Sequence, residues 1–299
     1  MTPEVSVIIP TYNRRAMLLV AIDSVLAQST QSFELIVIDD GSTDGTGEQL
    51  ARLGKAIRIE CIEHRGPAAA RNRGVELARA PLIAFLDSDD LWAPAKLELQ
   101  LAFMRSNTDC AISQTNEIWI RNGRRVNPGI RHRKRGGDIF IDSLRTCLIS
   151  MSATIMRTDL FRSLGGFDES MDAAEDYDLW LRILIDHEAG LLDEPLVTRR
   201  GGHPDQTSAT TPAIDRFRIL ALTKLLADNR LSPTRRNAVV DVLAEKCRIY
   251  AGGLRRRERI DHAKFYERVA DGSHQWRADE FDCAAKSMRS TLREISHGC

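Results

Sequence analysis

Along the first 105 residues, short apolar runs alternate with stretches in which apolar positions recur every three or four residues. The runs Val5–Ile9, Leu35–Ile38, Ile57–Ile62 and Leu82–Leu86 are rich in aliphatic, largely β-branched residues, the pattern of strands buried on both faces of a sheet. Between them, Ala16–Ala27 sets Leu18, Ala21, Ile22, Val25 and Leu26 at helical spacing. Gly47–Leu53, Pro67–Arg79 and Pro94–Arg105 read as further helices, the last two opened by proline. Strict alternation of this kind predicts right-handed crossovers and an α/β fold with a mainly parallel, Rossmann-like sheet. The first strand is expected to end at Pro10.

Each of these strands runs into a polar cluster: Thr11-Tyr12-Asn13, Asp39-Asp40-Gly41-Ser42, His64-Arg65-Gly66 and Asp87-Ser88-Asp89-Asp90. Ligands of open α/β sheets bind just outside the carboxyl ends of the strands, so the four loops are expected to form one site. Farther along, Cys110–Ile120, Ala153–Met156 and Leu191–Thr198 read as strands, and Ala174–His187 as a helix with Leu179, Ile183 and Leu184 on one face. Beyond Pro212 the pattern is helical throughout, opening with Phe217, Leu220, Ala221, Lys224 and Leu225. Two domains are therefore expected, an α/β domain over 1–205 and a helical C-terminal region over 206–299.

With 299 residues, 43% of them apolar, the chain can bury a sizeable core, which excludes the disordered and fibrous classes. Its 42 basic and 42 acidic side chains cancel, which argues against nucleic acid as a partner. The balance is uneven: residues 1–200 carry 24 basic and 29 acidic side chains, residues 201–299 carry 18 and 13. Six scattered cysteines, with no Cys-x-x-Cys pair, predict free thiols in a reducing compartment. Val5–Ile9 is too short for the apolar part of a signal peptide, and no run reaches the length of a membrane span. The expected location is the cytoplasm, with any membrane contact peripheral.

The strongest chemical signal is Asp87-Ser88-Asp89-Asp90. Three carboxylates in four residues repel one another unless a cation neutralises them, and a hard divalent ion held this way also grips substrate phosphates. The bland alternative is a solvated turn with Asp90 as a helix cap. Asp39 and Asp40 suit a ribose hydroxyl or a base N–H, although Asp-Gly is also ordinary turn chemistry. Arg71 stands one turn into a helix that opens with small residues, suited to a phosphate, to a base carbonyl, or to a surface ion pair. No Gly-x-Gly-x-x-Gly or Walker lysine loop follows the first strand. A nucleotide site here would use acids and a metal instead of a glycine cradle.

Taken in order, Val5-Ser6-Val7-Ile8-Ile9-Pro10-Thr11-Tyr12-Asn13, Asp39-Asp40-Gly41-Ser42, the segment from Gly66 to Asn72, the aspartates at 87–90, and Gly165-Gly166-Phe167-Asp168 followed by Glu175-Asp176 resemble glycosyltransferase family 2. The resemblance runs from Val5 to about Thr198. It implies the GT-A nucleotide-diphospho-sugar fold, inverting transfer from a nucleotide-diphosphate sugar, with a UDP-sugar favoured, and a divalent metal, Mn²⁺ or Mg²⁺. It places Pro10, Thr11, Tyr12, Asn13, Asp39, Asp40, Arg71, Asp87 and Ser88 around the donor nucleotide. Asp89, the last carboxylate of the DxD motif, becomes the metal ligand and Asp176 the base that takes the acceptor proton, with Glu175 as the alternative. Trp180, one turn on from Asp176, is expected to border the acceptor.

The resemblance also implies that a histidine after the last strand reaches metal or diphosphate, and His203 in Gly202-His203-Pro204 is suitably placed for it. The loop Arg121–Arg135, with seven Arg or Lys and no acid, fits a solvated surface, a lid over the diphosphate or a dock for an anionic acceptor. Arg255-Arg256-Arg257 suits hydration or anionic lipid headgroups. The acceptor implied is a saccharide, a lipid-linked acceptor or a protein, in cell-surface polysaccharide or glycan synthesis; an amphipathic tail permits a homodimer without requiring one. Two alternatives stand beside the enzyme: a sugar nucleotidyltransferase, for which the triphosphate loop is missing, and a non-catalytic nucleotide-sugar-binding scaffold.

Overall fold

The computed structural model describes residues 2–54, 57–203, 206, 211, 213–273 and 276. In chain order the α/β elements are β1 (Val5–Thr11), α1 (Arg15–Leu26), β2 (Phe33–Asp39), α2 (Thr46–Ala51), β3 (Arg58–Cys61), α3 (Pro67–Leu77), β4 (Leu82–Phe85), β5 (Leu91–Trp92) and α4 (Lys96–Ser106). They continue through β6 (Ile112–Arg121), β7 (Arg124–Val126), α5 (Phe140–Arg145), β8 (Thr154–Arg157), α6 (Thr158–Ser163), α7 (Glu175–Leu184) and β9 (Ala189–Gly201). Three helices follow: α8 (Asp215–Leu225), α9 (Pro233–Arg255) and α10 (Ile260–Gly272).

Two compact units divide the chain. The first comprises Met1–Ile139, Leu148–Ser170 and His187–Gln206, the second Phe140–Cys147, Met171–Asp186 and Thr207–Cys299. The second unit thus includes two segments, carrying α5 and α7, from before residue 205.

In the first unit the strands lie in the order β3-β2-β1-β4-β8-β6-β9-β5, with β7 paired to β6. The sheet is parallel across β3-β2-β1-β4, as the alternation predicts, and again between β6 and β9. β8 runs antiparallel to both β4 and β6, and β5 runs antiparallel to β9, so beyond β4 the sheet is mixed. Strand β1 does not stop at Pro10 but continues to Thr11. Pairing with β4 ends at Ile8, whose carbonyl accepts from Leu86. Pro10, two residues on, turns its missing N–H toward the same side, where the ladder has already ended.

Side chains alternate across β1. Val5, Val7 and Ile9 pack with Leu18, Ile22 and Val25 of α1 and with Leu97 and Leu101 of α4. On the opposite face a Cβ built on Gly74 of α3 would lie 2.4 Å from Ile8 Cγ2. Glycine lets that helix approach the strand.

Among the described residues the second unit is helical. Phe217, Leu220, Ala221 and Leu225 of α8 are buried, as the apolar spacing predicts. Ser232 caps α9, its hydroxyl accepting from the Arg235 amide, with Pro233 in the first turn. Arg235 donates to the Leu184 carbonyl at 2.9 Å and to that of Ile185, at the C-terminal end of α7. Tyr250 and Tyr266 join α9 to α10 edge to face at 4.7 Å. Among the described residues, no helix is long and apolar enough to cross a membrane.

Gly74→Ala is expected to force Ile8 or α3 aside and to destabilise the protein by about 1–3 kcal/mol. Urea denaturation would show this as a lower midpoint at unchanged slope.

Candidate active site

The loops at the carboxyl ends of β1 to β4 are tied to one another by named contacts. Asn13, in the left-handed region at φ 51°, receives a hydrogen bond from Thr43 N at 2.7 Å, and its own amide donates to Ser42 Oγ at 2.8 Å. Asp39 accepts from Ser42 N at 3.0 Å. Asp40 accepts from Arg65 N and Gly66 N, both at 2.9 Å, and meets His64 Nδ1 at 2.8 Å. Both Asp40 oxygens therefore shape the loop after β3. Tyr12 stacks on His64 with ring centroids 3.9 Å apart. Thr11, at the mouth of β1, is buried, and its hydroxyl has no hydrogen-bond partner among the described residues.

Arg71 is buried and donates to Asp87 at 2.8 Å, with its guanidinium 5.7 Å from the Phe167 ring. Asn72 holds Phe167 in turn, accepting from its amide and donating to its carbonyl, each at 2.9 Å. A side chain at Gly166 would come within 2.7 Å of Asn72 Oδ1, so the glycine at this left-handed position belongs to the same arrangement.

The aspartate loop after β4 is the electrostatic centre. Asp89 Oδ2 lies 3.1 Å from Arg14 Nη1 and 2.8 Å from His203 Nε2. Asp90 accepts from Arg200 N at 3.0 Å and from Ser152 Oγ at 2.7 Å, and Ser152 Oγ accepts from Asp87 N at 3.1 Å. Ser88 is buried between them. Burial, joined by the charge of Asp87, pushes the Asp89 carboxyl up against the opposing pull of Arg14 and His203. Asp90 is driven well above the usual carboxylate range by burial and then by Asp89 and Asp87. Close carboxylates raised together favour a cation, or a proton in its place.

The donor set is of the kind a divalent ion accepts: one carboxylate oxygen of Asp89, the imidazole nitrogen beside it, and Asp87 two residues away. Among the described residues no group of three His, Cys, Asp or Glu side chains could hold a metal alone. Such a site fits an ion that completes its shell with oxygens of a bound diphosphate. Next to it, Met17, Ile120, Asn122, Arg200, Gly202 and His203 help to line a cleft of about 260 Å³.

Glu175 and Asp176 occupy the first turn of α7, which follows Ala174 in the left-handed region at φ 59°. Asp176 accepts from Tyr177 N at 2.7 Å, and Cys147 Sγ lies 3.7 Å from its other oxygen. Glu175 is buried. Asp178, next in the helix, is bound to Lys224 and Arg182. Trp180 is only 1% exposed and belongs to the core, which removes it from the expected acceptor border. Its i, i+4 spacing from Asp176 carried the expectation, but the apolar side of the helix takes it inward. Pro204, Asp205, Thr207 and Ser208 of the histidine loop lie outside the described residues, as do Cys283 and Cys299. The four cysteines within them are free thiols.

Two participants escape sequence reading, Arg14 and Ser152, while Arg200 and Asn72 lie in segments singled out there without a role of their own. Arg14 adjoins Thr11-Tyr12-Asn13, so proximity in sequence is its only signal. Ser152 has none, because it reaches the loop from the turn before β8.

The sequence model of Glycosyl transferase family 2 matches residues 6–165, and the chain belongs to that family of enzymes. It is 38% identical over 195 residues to a glycosyltransferase of Rickettsia felis, covering 64% of this chain and 32% of that protein, so the chain spans about a third of that relative's length. Over 191 residues it is 33% identical to WfgD of Escherichia coli, named as a UDP-Glc:alpha-D-GlcNAc-diphosphoundecaprenol beta-1,3-glucosyltransferase, covering 63% of this chain and 73% of WfgD. The fold matches that of S. aureus TarS in complex with UDP-GlcNAc, with a TM-score of 0.68 at 19% identity over 99% of this chain and 91% of that one.

Ser152→Ala is expected to leave Asp90 short of a donor and the Asp87 amide short of an acceptor, at a cost of about 1–3 kcal/mol. Urea denaturation measures that loss, and unchanged stability would show that water replaces the hydroxyl.

Proposed function

We propose that this chain is an inverting glycosyltransferase that moves a sugar from a nucleotide-diphosphate donor, UDP-linked by preference, to an acceptor hydroxyl in cell-surface polysaccharide synthesis. The observation that carries the proposal is the meeting of Asp89 with His203 at the carboxyl end of β4, where the coordinating groups suit a metal-bound diphosphate. The UDP-Glc in the name of WfgD supports the choice of nucleotide, and the diphosphoundecaprenol there supports a lipid-linked acceptor.

In this reading the nucleoside lies over the loops after β1 and β2. The Thr11 hydroxyl, buried without a partner among the described residues, and Asp39 contact it, while Pro10, Tyr12, Asn13, Asp40 and Ser88 form and hold its walls. Arg71 and Asp87 act as a pair, the arginine fixing the carboxylate for a ribose hydroxyl. Asp89 and His203 would hold Mn²⁺ or Mg²⁺. When bound, that ion neutralises charge on the departing nucleoside diphosphate. Asp176 takes the proton of the attacking acceptor hydroxyl in a single in-line displacement, so the configuration at the anomeric carbon inverts. Glu175 is the alternative base. We place the protein at the cytoplasmic face of the membrane as a peripheral enzyme. Arg255 is engaged by Glu267 at 2.7 Å, which leaves Arg256 and Arg257 as the basic contribution of that helix end.

Titrating UDP, GDP and dTDP into the protein with Mn²⁺ and then with EDTA tests the donor site. Tight UDP binding that EDTA abolishes is expected, and absence of any nucleoside diphosphate binding would overturn the reading. Asp89→Ala is expected to weaken UDP binding in Mn²⁺ by at least about tenfold, the loss of one charged ligand interaction. Asp176→Asn is expected to keep donor affinity and lose transfer by about 10²–10⁴-fold. Near-full turnover in that variant would exclude Asp176 as the base.

A further inference from the structure

On the opposite face of the β6–β9 ribbon from Arg200 lies a second cleft, of about 240 Å³, lined by Glu117, Trp119, Pro128, Ile130, His132 and Lys134 among others. It is built by the basic loop whose purpose the sequence leaves open. The Glu117 side chain is only 4% exposed. Its Oε1 accepts from Trp119 Nε1 at 2.7 Å and from Ser150 Oγ at 3.2 Å, while Oε2 is buried with no hydrogen-bond partner among the described residues. Burial pushes this carboxyl up, but Lys134 and Arg199, with the hydrogen bonds from Trp119 and Ser150, outweigh it and hold the group below the usual range. A buried carboxylate oxygen that stays ionised and lacks a donor is costly unless something supplies one.

The nearby cations do not fill that need. Lys134 stands 3.7 Å from Oε1 and spends its ammonium on Leu148 O at 3.0 Å and on Ser150 Oγ. Arg199 stacks over Trp119 at 5.1 Å and comes no closer to Glu117 than 4.0 Å, at Oε1. His132 lies 5.4 Å from the Trp119 ring and accepts from Arg131 Nε at its own Nε2 at 3.1 Å, which takes a neutral ring, and burial followed by the charges of Arg131 and Arg199 pushes its pKa down. The cleft thus offers an indole, a neutral imidazole and a carboxylate oxygen in want of a hydrogen. An anion would meet Glu117 head on. A pyranose matches all three, with an apolar face for the indole and hydroxyls for the carboxylate and the imidazole.

We infer that this cleft is a saccharide subsite, in which Glu117 Oε2 accepts a hydrogen bond from a ring hydroxyl packed beside Trp119 and His132, and that it seats a sugar of the acceptor. The assignment to the acceptor rests on the glycosyl-transfer reading; the subsite itself does not. Arg199 and Arg200 are consecutive on β9, the first over Trp119 and the second bonded to the aspartate loop, so the subsite shares a strand with the donor side.

The test uses the full chain and three probes, methyl β-D-glucopyranoside, N-acetylglucosamine and inorganic phosphate, followed by tryptophan fluorescence and by isothermal calorimetry, with UDP titrated in parallel. At least one sugar is expected to bind saturably in the millimolar range and phosphate is not. Glu117→Gln is expected to weaken the sugar by at least about tenfold in calorimetry, and Trp119→Phe to remove the fluorescence change. Because Glu117→Gln also strips Lys134 of its counter-ion, the rim variant Trp119→Phe keeps the test decisive if the first variant misfolds. No sugar binding to the wild type, phosphate binding in place of sugar, or sugar binding unaltered in the variants would each overturn the inference. UDP binding without sugar binding sinks the subsite alone; sugar binding without UDP binding leaves the subsite and sinks the transfer reading.

Discussion

Three carboxylates crowded at the end of a buried strand set the terms for the rest of the first unit. Asp89 and Asp90 lose water as β4 packs into the sheet, and each is repelled by the charge of the more exposed Asp87. The fold answers with partners drawn from well-separated segments: Arg14 after β1, Arg71 from α3, Ser152 before β8, and Arg200 and His203 at the end of β9. Each must be delivered by its own element. The mixed half of the sheet earns its complexity here, because β9 reaches the aspartates only by running parallel to β6 and pairing with β5 immediately after them.

The same demand explains why so little of the loop chemistry is idle. Asp40 is used up in shaping the turn after β3, and Asn13 in joining the loops after β1 and β2. Residues of this sort make a site rigid without touching a ligand. Two polar atoms left over bear on function: the buried Thr11 hydroxyl and the second oxygen of Glu117 have no hydrogen-bond partner among the described residues.

Much of this architecture is legible in the sequence wherever one element dictates its own structure. Continuous β-branched runs and helical apolar spacing give β1 to β4 and α1 to α4 to within a few residues. Legibility fails where the cause is remote. Pro10 looks like a strand terminator until the end of the β1–β4 ladder is known. Trp180 looks like an acceptor contact until its helix is seen to bury that side. The direction of the strands beyond β4 is invisible to periodicity, since a strand of either direction has the same repeat. Among the site residues, the acids stand out because they cluster in sequence, whereas Ser152 and Asn72 act on loops 65 and 95 residues away.

The alternation of β6 and β9 binds the two clefts together in a way that constrains how the protein can change. Glu117 and Trp119 face one side of the ribbon, Ile120 and Asn122 the other, and Arg199 and Arg200 divide in the same manner. Inserting or deleting one residue along this stretch would turn the strand over and exchange the two sets of side chains. The ribbon already carries irregular register on both sides of Asn116, which itself lines the Glu117 cleft. A change of one residue in the regular stretch after Glu117 therefore keeps both clefts only where a bulge absorbs it, as the irregular pairing around Asn116 does. The loop from Asn127 to Arg135 is under no such parity rule, but any change in its length must still deliver His132 to Trp119 and Lys134 to Glu117.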